Sequence, residues 1–159
     1  MVLLRDVLLR SNQGKAYFTD PIRGGTKVLF NAKKIEASFN IESNKYLELG
    51  KLTYGHYSGA VEITGNFDLY IYSSYFIERV NEYREGGEPF YFDLHVENGV
   101  TNKEVSKIGV QHVIFKNVTL TNVPITSLGQ DASASSGNYT FQAEDLLLSS
   151  KFNEINSLE

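Results

Sequence analysis

The sequence predicts a mainly β protein: an antiparallel barrel or sandwich of about seven strands with one packed α-helix. Three observations carry this expectation. Apolar and polar residues alternate over Ile35–Ile41, Val61–Ile71 and Phe90–Val96, the period of strands with one buried face. A single segment, around Phe76 to Arg84, changes to helical spacing. Glycine, asparagine and proline punctuate the chain at short intervals, as turns require.

Residues 1–14 form a polar-ended arm with two leucine pairs and no clear period. Apolar residues on such an arm need a partner surface. The β domain is expected over 15–145. Lys15–Thr19 and Lys27–Phe30 are short strands, separated by Asp20-Pro21 and Gly24-Gly25. Asn31-Ala32-Lys33 reads as a hairpin turn into the strand Ile35–Ile41. The segment Tyr46 to Tyr57 sets Leu47, Leu49, Leu52, Tyr54 and Tyr57 beside Gly50, Gly55 and Gly59. It is too apolar for a solvated loop and too rich in glycine for a core strand. Two readings stay open: a hairpin of the same sheet, or an extended loop that hides its apolar side chains on another subunit.

The unit from Gly59 to Glu97 organises the rest. Gly65 interrupts the apolar series of its first strand, which implies a bulge or a close approach of another backbone. Phe76, Ile77, Val80 and Tyr83 make the helical stripe, with Ser73-Ser74 as N-cap candidates and Gly86-Gly87 as the stop. Asn98-Gly99 and Thr101–Lys107 form a polar connection. In the long strand Val110–Val123 the apolar phase shifts: Val113 and Phe115 are odd, Val118 and Leu120 even. A bulge near Lys116-Asn117 reconciles the two halves. Gln130–Asn138 is a loop of small residues, and Tyr139, Phe141 and Ala143 mark a last strand. Residues 146–159 are a tail whose apolar spot is Leu146-Leu147-Leu148.

At 159 residues, 42% hydrophobic and with 20 Tyr and Phe (10 of each), the chain can build one domain with a real core. The net charge of -4, without a long run of either sign, offers no basic patch for nucleic acid or an acidic membrane. The absence of cysteine excludes disulfides, thiolate chemistry and cysteine-ligated zinc. Arg5, Asp6 and Arg10 break the apolar start too early for a signal peptide, and no stretch is long enough to span a membrane. Without secretion, the glycosylation triplets at Asn117 and Asn138 have no consequence.

Catalytic candidates are few. In Gly55-His56-Tyr57-Ser58-Gly59 the serine stands one place late for a nucleophile elbow, and there is no phosphate loop. His95 and His112 on neighbouring strands would permit a two-histidine metal site. No carboxylate spacing supports one, so a polar strand face is the simpler reading, and neither metal nor cofactor is expected. The predicted polar faces carry Glu36, Glu42, Glu62, Asp68, Asp93 and Glu97 against Lys34 and Lys116. That excess suits plain solubility. It also suits a surface that lets a polyanion pass without holding it. A different class of function, a β-sandwich carbohydrate- or ligand-binding module, would use Tyr70, Tyr72 and Tyr91 as platforms for a sugar ring.

The ordered series of features resembles the tail-tube (tail core) proteins of contractile phage tails, above all the short tube proteins of defective prophages and phage-tail-like bacteriocins of Gram-positive bacteria. Gly50-Lys51-Leu52-Thr53-Tyr54-Gly55-His56-Tyr57-Ser58-Gly59 is similar to that family's G-x4-G-H-x3-G stretch. The strand Ala60–Tyr72, the helix exit Arg84-Glu85-Gly86-Gly87-Glu88-Pro89-Phe90-Tyr91-Phe92, the strand Gln111–Thr121 and the strand from Tyr139 to Asp145 follow in the family's order. The likeness covers roughly residues 14 to 155. The resemblance implies a non-enzymatic subunit of hexameric rings, stacked into a hollow tube inside a contractile sheath. Its partners would be further copies of itself, the sheath, and baseplate and tail-terminator proteins. In a phage, DNA would pass through the lumen without specific binding. The place of action would be the tail of a virion or tail-like particle, made in the bacterial cytoplasm and released by lysis. Segment 46–59 would then bridge to an adjacent ring through Leu49, Gly50, Leu52, Tyr54, Gly55, His56, Tyr57 and Gly59. Glu36, Glu42, Glu62 and Asp68 would face an acidic lumen.

Overall fold

The computed structural model describes residues 14–20, 26–28, 32–70, 75–87, 90–99, 109–126, 128–130 and 136–152. The N-terminal arm, the Ser73-Ser74 cap, the 101–107 connection and most of the small-residue loop lie outside them. Among the described residues, eight strands and one helix follow in chain order: β1 (Gly14–Thr19), β2 (Thr26–Val28), β3 (Ala32–Tyr46), β4 (Gly55–Tyr70), α1 (Tyr75–Arg84), β5 (Tyr91–Gly99), β6 (Val110–Asn122), β7 (Ser136–Ala143) and β8 (Asp145–Ser150). All strand pairs are antiparallel. They form one sheet in the order β2-β1-β5-β6-β7-β4-β3, with β8 also paired to β6. Among the described residues the two margins do not meet.

The core lies on one face of this sheet, where the alternating residues converge. Phe67, Phe92, Leu94, Val118 and Phe141 are fully buried. Helix α1 lies over them and inserts Phe76 between the rings of Phe18, Phe67, Phe92 and Tyr139, at centroid distances of 5.1 to 6.5 Å. Its end follows the expected glycine stop. Gly86, at φ +97°, donates to the Tyr83 carbonyl, and Gly87 donates to the Glu82 carbonyl, the paired bonds of a Schellman motif. The helical stripe is less regular than the spacing implies. Arg79 is buried, whereas Tyr83 is exposed.

Two irregularities expected from the sequence have clear causes. A Cβ on Gly65 would collide with the Glu36 carbonyl oxygen and the Phe141 ring, so the missing side chain is space for a neighbour. In β6 the phase shift is a bulge. Phe92 faces Val118 but Leu94 faces Phe115, and Asn117 takes φ 50°. The Asn117 N–H donates to Asp93 Oδ1 at 3.2 Å, and its side-chain amide donates to Glu144 Oε2 at 3.0 Å. The bulge therefore holds β6 to both neighbours.

Two expectations are corrected. Of the expected hairpin turn Asn31-Ala32-Lys33, Asn31 lies outside the described residues, and Ala32 and Lys33 open β3 rather than turn a hairpin: β2 pairs with β1 and β3 with β4, on opposite margins of the sheet. Residues 145–150 are not tail but strand, in which Leu146, Leu147 and Leu148 pair with Phe115, Ile114 and Val113. Strands β7 and β8 thus run as one track along β6, bent at Glu144 opposite the bulge, where the Glu144 N–H donates to the Lys116 carbonyl. Helix α1 connects β4 to β5 across the sheet, since β6 and β7 lie between those two strands.

Candidate subunit interface and polar face

The β3–β4 ribbon is longer than the body that supports it. Strand β7 pairs with β4 only from Ile63 to Tyr70, while β3 pairs with it from Ala32 to Tyr46. Beyond Ile63 the two strands project as a ribbon of their own. On the side that is core elsewhere, Phe39, Ile41 and Val61 are half exposed, whereas Phe67, which packs against Phe76 of the helix, is fully buried. Gly55, His56, Tyr57 and Gly59 are therefore strand residues, and the turn proper runs from Leu47 to Tyr54.

That turn is built to present side chains. The Lys51 N–H donates to the Glu48 carbonyl at 3.2 Å, and Gly50 holds φ +86°, as the third position of a type II turn demands. Leu49 is thereby set on the corner. Leu49 and Leu52 are fully exposed, and Leu47, Tyr54 and Tyr57 more than half. A Glu48–Lys51 ion pair crosses the turn. At its base a Cβ on Gly55 would collide with the Tyr46 ring, and that ring lies 6.2 Å from Tyr57. The Lys45 ammonium sits 5.9 Å from the Tyr54 ring centroid. All eight residues singled out from the sequence are thus brought to one end of the ribbon.

The four singled-out carboxylates also share a face, the one opposite the core. Register places Lys34 beside Asp68, Glu36 beside Asn66 and Asn40 beside Glu62. Glu42 reaches over Gly59. Asn138 and Gln142 of β7 extend the same face, donating to Asp68 at 2.6 Å and to Glu62 at 3.4 Å. Lys34 is 3.0 Å from Glu36, and the hydrogen bond to that carboxylate raises the lysine pKa. Among the described side chains, four carboxylates against this one ammonium leave the β3–β4 half of the face acidic.

His95 and His112 meet on the other half. His95 Nδ1 and His112 Nε2 are 3.1 Å apart, and the Tyr17 ring stacks on His95 at 4.5 Å. Burial first, and then the neighbouring His112, lower the His95 pKa. No group of three or more potential metal ligands occurs among the described residues. Of the three platform tyrosines, Tyr91 is partly exposed opposite Thr119, while Tyr72 and the Tyr70 side chain lie outside the described residues. Sequence reading missed the buried Arg79 because an arginine at helical spacing reads as solvated surface.

Residues 5–147 match the family described as phage tail tube protein. The chain belongs to that family. No curated protein matches it. Solved structures share the tail tube protein's fold at very low identity. A chain in the six-fold symmetrised baseplate of the anti-feeding prophage (AFP) superposes with a TM-score of 0.69 at 7% identity, over 89% of this chain and 95% of that one. A chain of the PVC extracellular contractile injection system, in its sheath/tube terminator, gives 0.67 at 8%, over 90% and 97%. A chain of the PVC sheath-tube complex gives 0.63 at 8%, over 88% and 90%. No helix among the described residues of this tail tube protein is long and apolar enough to cross a membrane.

Proposed function

We propose that this tail tube protein is the repeating subunit of the inner tube of a contractile tail or tail-like particle. Six copies close each ring, and the rings stack into a hollow tube. The observation that carries this reading is the projecting ribbon: its tip holds two fully exposed leucines and its flank an uncovered apolar strip. A monomer gains nothing by displaying them; burial against a further copy recovers about 25 cal/mol per Å² of apolar area, less the cost of association. The sheet margins support the same reading. Strand β3 is 15 residues long and stands last in the sheet among the described residues, an edge that invites pairing unless something covers it. Joining margins around a ring removes such edges. The six-fold symmetry of the AFP baseplate suggests the ring number.

In this reading the acidic face of β3 and β4 lines the bore. Glu36, Glu42, Glu62 and Asp68 repel a polyanion, so DNA passes without binding if the particle is a phage. Sheath, baseplate and terminator proteins are the external partners, and the role is mechanical rather than enzymatic. The protein acts in the particle after release by lysis. Negative-stain micrographs of concentrated protein, co-produced with its sheath and baseplate partners, test the reading. Rings and tubes are expected. Protein that stays monomeric in that setting contradicts it.

A further inference from the structure

The tip needs a receiving surface, and the chain carries one. Between α1 and the end of β6 lies a largely apolar groove of about 210 Å³, lined by Phe76, Val80, Phe90, Leu120 and Val123 with Arg79 in its wall. An apolar cavity of about 150 Å³ accepts a benzene-sized group. The groove therefore has room for a leucine side chain. Arg79 has only 9% of its surface exposed, and its Nε has no hydrogen-bond partner among the described residues. The rest of the guanidinium is engaged, with Nη1 2.9 Å from Glu82 and the Tyr75 ring 5.0 Å away. A buried donor without a partner is costly, so the wall of the groove is not fully satisfied among the described residues of one copy.

We propose that the α1–β6 groove of one copy receives the Leu49–Leu52 turn of another, with Leu52 in the apolar slot between Phe76, Val80 and Val123. The two surfaces lie at different levels of the molecule. Leu120 pairs with Phe141, and Phe141 with Gly65, so the groove stands level with Gly65. The turn begins at Gly55, about ten residues and roughly 33 Å away along β4. Two distinct patches that fit each other give a heterologous contact, which propagates copies in one direction and does not close as a pair. That is the polarity that stacking of rings requires. The inference rests on the tube reading, but it names the surface on the next copy.

The cysteine-free chain allows a clean test. The double variant Leu52→Cys/Val123→Cys, treated with a short bismaleimide, should give a covalent ladder extending past the dimer. Either single variant should give none. Val123→Glu should leave single rings and abolish tubes. Tubes that form without a Leu52–Val123 ladder, or normal tubes from Val123→Glu, overturn the groove assignment and leave the tube reading standing. A ladder without tubes in any setting supports the contact and counts against the tube reading. Dimers from Leu52→Cys alone mean that tips meet tips, and overturn the proposal.

Discussion

The body of the sheet and the end of the ribbon use the same kinds of residue for opposite ends. Around Phe67 the aromatic rings interlock: Tyr139 stacks at 5.1 Å and Phe141 lies at 5.9 Å, under a helix that closes the layer. Around Tyr54 the rings and leucines stand in water, and the nearest aromatic partners are 6.2 Å apart. Both regions alternate apolar with polar along β4. What differs is the third layer. Helix α1 supplies it over Phe67, and nothing within the described chain supplies it over Ile41 and Val61. Alternation thus marks a face that needs cover without saying which molecule provides it.

The largest effect should come from the body. Phe141 is fully buried, touches the rings of Phe67 and Phe115, and fills the space left by Gly65. Phe141→Ala should cost about 3–5 kcal/mol of fold stability, read by denaturant unfolding of the monomer. A loss under 1 kcal/mol would mean that the core is not organised around this strand. A smaller effect is expected at the bulge. Asn117→Ala places an ordinary side chain in the left-handed region and removes the bond to Glu144, at a cost of about 1–2 kcal/mol. Asn117→Gly keeps the backbone bonds and tolerates the φ, so it should cost less than the alanine variant. Equal losses from both would show that the amide, not the backbone angle, matters.

How far the sequence could be read follows the same division. Period and phase located the main strands and the helix, and even the bulge at Asn117, because each leaves a mark within a few residues. Pairing left no such mark. Nothing local in Leu146-Leu147-Leu148 says that Val113–Phe115 lie beside it, so a strand passed for a tail. The separation of β2 from β3 was hidden for the same reason. In the candidate interface, glycine beside exposed leucine exposed the conflict between burial and turn at residues 46–59. It could not say that strands enter the segment from both ends. Arg79 was illegible, since its burial depends on α1 meeting β6 across the fold.

A change of pH probes the polar half of the body with less force than either core or bulge. The His95 pKa is lowered by burial and by His112, while Asp93 and Glu97 oppose and Lys116 adds to the lowering. Lys15 faces the same group through its 3.1 Å ion pair with Glu97. A depressed histidine is more readily protonated in the unfolded chain than in the fold. Its contribution to stability is therefore complete above the ordinary histidine value, near pH 6.5, and lost as pH falls toward the lowered value. Thermal unfolding should thus move to lower temperature on acidification through that window. His95→Gln should flatten the dependence, and an unchanged slope in that variant would exclude the pair as its source.

The smallest effect on the fold belongs to the tip, where the comparison with the body is sharpest. Leu52 is fully exposed in the monomer, so Leu52→Ser removes no packing there and should alter stability by less than about 0.5 kcal/mol. Tyr54→Ser should cost slightly more, because the Lys45 ammonium lies over the ring, a contact worth about 0.5 kcal/mol at an exposed site. Yet the pair of changes should abolish stacking of rings. Truncating a core phenylalanine removes a contact that every isolated copy makes; on the proposed tube reading, truncating Leu52 removes one made only between copies. If the doubly substituted monomer unfolded as easily as Phe141→Ala, the tip would be packing against its own subunit in solution. The exposed leucines would then be part of the body after all.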